Sequence, residues 1–288
     1  MSDGDTHLAL SGWCLTDPGR RRGRNEDSCL VCERLSVYAV ADGMGGHRGG
    51  GHASRLALDV LRSEVEAWLS GDRPSDAPPR EAAAAASVAF SDTAEVPRVR
   101  PEDVIAGEAV AARRFLHRAA QRASDAIFDA ARKDSSLRGM GTTLTAMLAS
   151  GERAYIVHAG DSRAYRMRGG ELEQVTEDHS WTREQVKAGM MTEAEAEVSE
   201  YRHVITRSIG FERNVHLDVF ELELCAGDRF LLCSDGLSNY IGRGELAPLM
   251  GETPCKDVPA RLVALANERG GEDNITAVVV EVSASPEP

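Results

Sequence analysis

Four apolar runs in this chain each stop at, or start just after, an aspartate. Asp42 closes Tyr38-Ala-Val-Ala-Asp-Gly43, Asp161 closes Ala154-Tyr-Ile-Val-His-Ala-Gly-Asp-Ser162 and Asp235 closes Arg229-Phe-Leu-Leu-Cys-Ser-Asp-Gly236. Asp273 sits just before Ile275-Thr-Ala-Val-Val-Val280. Short apolar runs bounded by turn residues read as strands buried on both faces. One Asp-Gly after a strand is an ordinary turn. Four such acids, with Glu26-Asp27 beside a further strand, are a stronger constraint. If the strand tips converge, the carboxylates repel one another unless cations lie between them.

The rest of the chain fits a mixed architecture. Strands are expected at Leu8–Leu15, Ser28–Glu33 and Leu35–Ala41, and a helix over Ala53–Leu69, where Leu56, Val60, Leu61, Val65 and Leu69 share one face. Residues 71–101 are rich in Pro, Ala, Ser and Asp and read as a flexible insertion. A second helix is expected from about Val104 to Lys133. Strand candidates at 142–149, 154–159, 162–168 and 172–176 suggest a β-meander turning at Gly169-Gly170, and 180–200 is helix-prone. Strands at 215–224, 229–233 and 275–282, with a helix at 258–269, complete the reading. Strand runs interleaved with helix pairs point to α+β with antiparallel sheets.

Charge narrows the function. Over 288 residues, 46 acids against 33 bases leave a net charge of −13. That argues against a general nucleic-acid binder, which needs a basic face, and against docking on an anionic membrane. No run of about 18 apolar residues is present to cross a membrane, and the acidic start, MSDGDTHLAL, lacks the positive charge of a signal peptide. The expected location is therefore the cytoplasm. The six cysteines have no zinc spacing, and Cys29 and Cys32 would point to opposite faces of a strand. Buried free thiols are the expectation for them.

Oxygen-only ligands without a His or Cys set select hard divalent ions, Mg²⁺ or Mn²⁺ before Ca²⁺. Two such ions in one cluster are a common device for phosphoryl transfer. The loop Gly19-Arg-Arg-Arg-Gly-Arg24, directly before Asn25-Glu26-Asp27, could grip a phosphate through a guanidinium or be a solvated turn.

Eight stretches carry a resemblance. They are Arg22-Gly-Arg-Asn-Glu-Asp27, Val40-Ala-Asp-Gly-Met-Gly-Gly-His47, Gly139-Met-Gly-Thr-Thr143, Ala159-Gly-Asp-Ser-Arg163, Thr176-Glu-Asp-His-Ser180, Ile205-Thr-Arg-Ser-Ile-Gly210, Ser234-Asp-Gly236 and Asp273-Asn274. Taken in this order, over roughly residues 8–282, the chain resembles a bacterial metal-dependent Ser/Thr protein phosphatase of the PP2C (PPM) type. The resemblance implies a single domain, 1–288, built as a four-layer α-β-β-α sandwich with two central antiparallel sheets flanked by helix pairs. It also implies two or three Mn²⁺ or Mg²⁺ ions. Asp42 would bridge two of them, Asp235 and Asp273 would complete one, and the Gly43 carbonyl would bind the other. Asp161 would hold a weaker third ion, and Glu26 and Asp27 would act largely through metal-bound waters. Arg22 would hold the substrate phosphate. A metal-bridging hydroxide would attack phosphorus in line, without a phosphoenzyme, on phosphoserine or phosphothreonine proteins made by a Hanks-type Ser/Thr kinase. A monomer in cytoplasmic signal transduction is the implied setting.

The sequence departs from the family in places. Met44 stands where some animal members have a His proposed as general acid, and His47 lies three residues on. Residues 181–204 match the family's flap, but Glu200-Tyr-Arg-His203 lacks the usual Pro. Two other readings remain: a phosphoprotein-binding pseudophosphatase or regulatory scaffold, disfavoured by the intact acids, and a metal-dependent phosphodiesterase or nuclease, disfavoured by net charge.

Overall fold

In one sheet the strands lie in the order β1 (Leu8–Asp17), β12 (Ile275–Ala284), β11 (Arg229–Cys233), β8 (Arg163–Arg168) and β9 (Glu171–Gln174). The second runs β10 (Asp218–Glu223), β7 (Arg153–Ala159), β6 (Leu144–Ser150), β3 (Val37–Ala41) and β2 (Ser28–Cys32). A short pairing joins β4 (Gly43–Met44) to β5 (Gly141–Thr142). Every strand pairing is antiparallel. This is a computed structural model describing residues 8–45, 49–71 and 101–285, with backbone alone over 101–109. His7, His47 and all but the ends of the expected insertion 71–101 lie outside the described residues.

The sheets pack face to face and each is covered on its outer side. Between them lie Tyr38, Val40, Met147 and Ile156 from one sheet against Phe230, Leu232, Val278 and Val280 from the other. Alternate residues of β3 (Val37, Ala39, Ala41) turn outward onto α1 (Gly49–Ser70) and α2 (Pro101–Lys133), meeting Leu61, Val65, Leu116 and Ile127. On the other side Leu231, Cys233, Ala277 and Val279 meet α6 (Arg243–Glu252) and α7 (Val258–Glu268) through Leu246, Met250, Leu262 and Ala266. Strands covered on both faces have to be apolar throughout, which accounts for the runs in the sequence. The result is the expected four-layer α-β-β-α sandwich, with α3 (Trp181–Lys187), α4 (Glu193–Val198) and α5 (Asp235–Ser238) as short additions.

The structure corrects three readings. The strands from 142 to 176 do not form one meander: β6 and β7 belong to one sheet, β8 and β9 to the other. The chain crosses between sheets at Gly160, whose φ of +121° is in the range where side chains are strained and where a Cβ would collide with Thr143. The helix α6 was not expected, because its internal Pro248 and its two buried side chains, Leu246 and Met250, leave little periodic signal. The cysteines are not all buried: Cys233 and Cys255 are, Cys29 and Cys32 are intermediate, and Cys14 and Cys225 are exposed.

Candidate active site

The ladder between β2 and β3 sets Ser28 opposite Ala41, so Asp27 and Asp42 leave adjacent strands side by side at the same end of the sandwich. Asp42 is pinned by its backbone. Its N–H donates to Thr143 Oγ1 (2.9 Å), and its carbonyl accepts from the Thr143 N–H (2.9 Å) and the Thr142 hydroxyl (2.8 Å). Asp27 is buried, and its Oδ2 accepts from the hydroxyls of Ser234 (2.8 Å) and Thr276 (2.6 Å). Asp235 opens α5, with Oδ2 accepting from Asn239 Nδ2 at 3.2 Å. Asp273 holds its neighbour's N–H through Oδ1 (2.8 Å) and accepts from Arg22 through Oδ2 (2.8 Å).

One buried amide assembles the loops. Asn274 Oδ1 accepts from the Glu26 N–H (2.8 Å), while its Nδ2 donates to the carbonyls of Pro18 (3.0 Å) and Arg24 (2.9 Å). The Glu26 carbonyl in turn accepts from Ser54 of α1 at 2.5 Å. Gly43 passes so near α1 that a Cβ would strike the carbonyl oxygens of Gly50 and Glu26. Only glycine permits that approach.

The electrostatics show that the carboxylates share one space. Loss of water around it pushes the Asp42 carboxyl well above the usual range, and Asp27, Asp235, Asp161 and Asp273 push it further. Burial likewise raises Asp161 and Asp235 and lifts Asp27 to about 7 against its two hydroxyl donors. Asp27 Oδ1, Asp161 Oδ1 and Asp235 Oδ1 are buried and make no hydrogen bond. Among the described residues no three acids, histidines or cysteines close on one point. The carboxylates instead line a common cleft, as like charges do. Buried oxygens without donors, in a cluster short of cations, suit a hard divalent ion.

His179, in the Asp-His-Ser stretch, is the hydrogen-bonding residue of a second layer behind Asp161. The Gly160 N–H donates to His179 Nδ1 (3.2 Å), and the Gly160 carbonyl accepts from the His179 N–H (2.7 Å), so His179 grips the residue before Asp161 on both sides. A backbone N–H can only donate, so Nδ1 is unprotonated and Nε2–H donates to Asp218 Oδ2 at 3.0 Å. Burial also lowers the His179 pKa, which agrees. His158 lies against that ring at 4.7 Å, bonded to Thr145 and the Glu177 carbonyl. The signal in the sequence was Asp-His-Ser, but the spacing gave no hint that His158 lies beside it.

Residues 181–204 begin here. The Trp181 N–H donates to the Val204 carbonyl and the Thr206 N–H to the His179 carbonyl, both at 2.8 Å. Where the usual Pro is missing, Tyr201 packs edge-on against Trp181 at 5.2 Å. Arg22, bound to Asp273, keeps its side chain 56% exposed at the cleft. Beyond Glu26 a hollow of about 550 Å³ carries Arg24, His52 and Arg55.

A family model described as Protein phosphatase 2C matches residues 20–278. Serine/threonine protein phosphatase PstP of Mycobacterium tuberculosis is 35% identical over 276 residues, which is 96% of this chain and 45% of that protein. This chain thus spans less than half the length of that relative. Serine/threonine phosphatase stp of Listeria monocytogenes is 32% identical, with 92% of this chain and 93% of its own length covered. The crystal structure of M. tuberculosis PstP/Ppp matches with a TM-score of 0.75 at 32% identity, covering 95% and 99% of the two chains. The catalytic domain of PstP in complex with two manganese ions matches with a TM-score of 0.73 at 32% identity, covering 96% and 99%.

Proposed function

The chain belongs to the protein phosphatase 2C family, and from that premise we propose that its own cleft hydrolyses phosphoserine and phosphothreonine in proteins with Mn²⁺ or Mg²⁺. The observation that carries this is the set of buried carboxylate oxygens without hydrogen-bond partners on Asp27, Asp161 and Asp235 beside Asp42. Asp42, Asp235 and Asp273, with the Gly43 carbonyl, would hold two ions; Asp161 and Glu26 would add ligands around them. Such ions supply a hydroxide at neutral pH and neutralise phosphate oxygens.

The protein's part is positioning. Arg22 reaches the cleft from a mobile-length side chain and binds the incoming phosphate, with Asp273 orienting its guanidinium. Asp27 is held through Oδ2 by Ser234 and Thr276, which leaves its buried Oδ1 without a hydrogen-bond partner. His179 fixes the backbone ahead of Asp161. Met44 has no proton to give, so the leaving oxygen takes its proton from water or another donor in the cleft. The pairing of β1 with β12 joins the two ends of one domain proposed to span 8–282; a monomer acting on proteins phosphorylated by a Hanks-type kinase is part of the same proposal.

Hydrolysis of an aryl phosphate should require Mn²⁺ and stop with EDTA. Asp42→Asn and Asp235→Asn should each lower kcat/KM by roughly 100-fold or more. Arg22→Ala should act mainly on KM. Turnover that persists without divalent ions, or an unimpaired Asp42→Asn enzyme, would overturn the reading.

A further inference from the structure

We propose that Cys14 and Cys29 form an oxidisable dithiol at the open edge of the sandwich, which hydrogen peroxide converts to an intramolecular disulfide. The two residues lie on edge strands of different sheets, β1 and β2, on the same side of the molecule. Cys14 stands opposite Val278 in the β1–β12 ladder and Cys29 opposite Val40 in the β2–β3 ladder. Directly opposed residues project from the same face of a sheet. Val278 and Val40 both lie in the layer between the sheets, so both thiols turn into that layer.

Their neighbours fix the register across the gap. Two residues before Cys14, a Cβ on Gly12 would stand 3.0 Å from a methyl of Val31. Two residues after it, the Thr16 hydroxyl meets that of Thr276 at 2.7 Å, and Thr276 donates to Asp27 at 2.6 Å. With residue 12 at 31 and residue 16 near 27, Cys14 falls at Cys29, and the two thiols lie close enough to shift one another's ionisation. Cys32, at odd spacing on the same strand, faces the helix side and packs with that core instead.

The pair is asymmetric in the way the chemistry needs. Cys14 is exposed, and its neighbour Cys29 lowers its pKa to about 7, so a large share is thiolate at neutral pH. Cys29 is partly buried, and the same contact keeps it protonated. The Cys14 thiolate attacks one peroxide oxygen. An S–O bond forms, the O–O bond breaks, and the departing hydroxide leaves as water with a proton from solvent. The Cys29 sulfur then attacks the sulfenic sulfur; the S–S bond forms, the S–O bond breaks, and hydroxide departs with the Cys29 proton as a second water. Two electrons pass from sulfur to peroxide in all. The new bond would join the sheets one row of side chains away from Asp27.

The test uses the full chain treated with a few equivalents of hydrogen peroxide, alkylated, and mapped by mass spectrometry without reductant. The expected result is loss of two of the six free thiols, a linked peptide pair containing Cys14 and Cys29, a monomeric protein, and full recovery with dithiothreitol. Cys14→Ser and Cys29→Ser should each abolish that pair, and Cys32→Ser should leave it intact. Overoxidation of Cys14 while Cys29 remains alkylatable, a Cys14–Cys14 link between molecules, or six thiols that all stay alkylatable would each overturn the proposal.

Discussion

Asp42 lies where water is scarce and four other carboxylates are near, so its charge works against the fold and in favour of a bound cation. Removing that charge should therefore separate stability from activity. In EDTA, Asp42→Asn is expected to melt at or above the temperature of the parent protein, although it is among the most damaging changes for turnover; a thermal melt with excess chelator checks this. His158 makes the opposite demand. Burial pushes its pKa down to about 3, so the folded protein keeps it neutral while the unfolded chain protonates near 6.5. A group whose folded pKa is depressed in this way and which carries charge when protonated costs stability as pH falls below 6.5. The contribution is about 1.4 kcal/mol per pH unit until pH nears 3. His158→Gln should be less stable at pH 7, with the gap to the parent narrowing by that slope between pH 6.5 and 5 in urea titrations.

Elements differ in how plainly the sequence announces them. Strands buried on both faces left continuous apolar runs, and those runs marked β3, β7, β11 and β12 together with the aspartates at their tips. What the runs do not encode is which sheet a strand joins, since β7 and β8 are consecutive strands although the chain changes sheets at Gly160. The same limit hid the pairing of His158 with His179 and the thiol pair, because both are contacts across space between residues with no common period. The sequence showed 180–200 as polar and helix-prone and 181–204 by resemblance as the family's flap, but not what holds the segment in place. It is held by two backbone bonds at its base, by ion pairs of Arg183 and Lys187 with Glu177 and of Arg183 with Glu193, by a capping box at Thr192, and by the Trp181–Tyr201 contact. An aromatic pair of this kind contributes about 0.5–1.5 kcal/mol. Tyr201→Ala should speed amide exchange across residues 181–204 while leaving the global melting temperature within about 2 °C.

The whole molecule carries a charge of −13, yet the cleft meant for phosphate is bordered by Arg22, and by Arg24 and Arg55 in the adjoining hollow. Divalent ions would add positive charge where the carboxylates now repel, so they should stabilise the fold as well as serve the chemistry. Mn²⁺ at 100 times its Kd should add about 2.7 kcal/mol, raising the melting temperature by several degrees in calorimetry, with EDTA reversing the shift. The first and last strands, β1 and β12, pair from Leu8–Ala284 to Asp17–Ile275, and Asn274 gathers the loops at 18, 24 and 26. During synthesis, then, β1 waits until β12 has emerged before it finds its neighbour. A chain stopped by a premature termination codon near residue 270 would lack Asp273 and leave the edges of β1 and β11 bare. Its fate would be self-association and proteolysis instead of partial activity, so the ribosome releases no half-working enzyme.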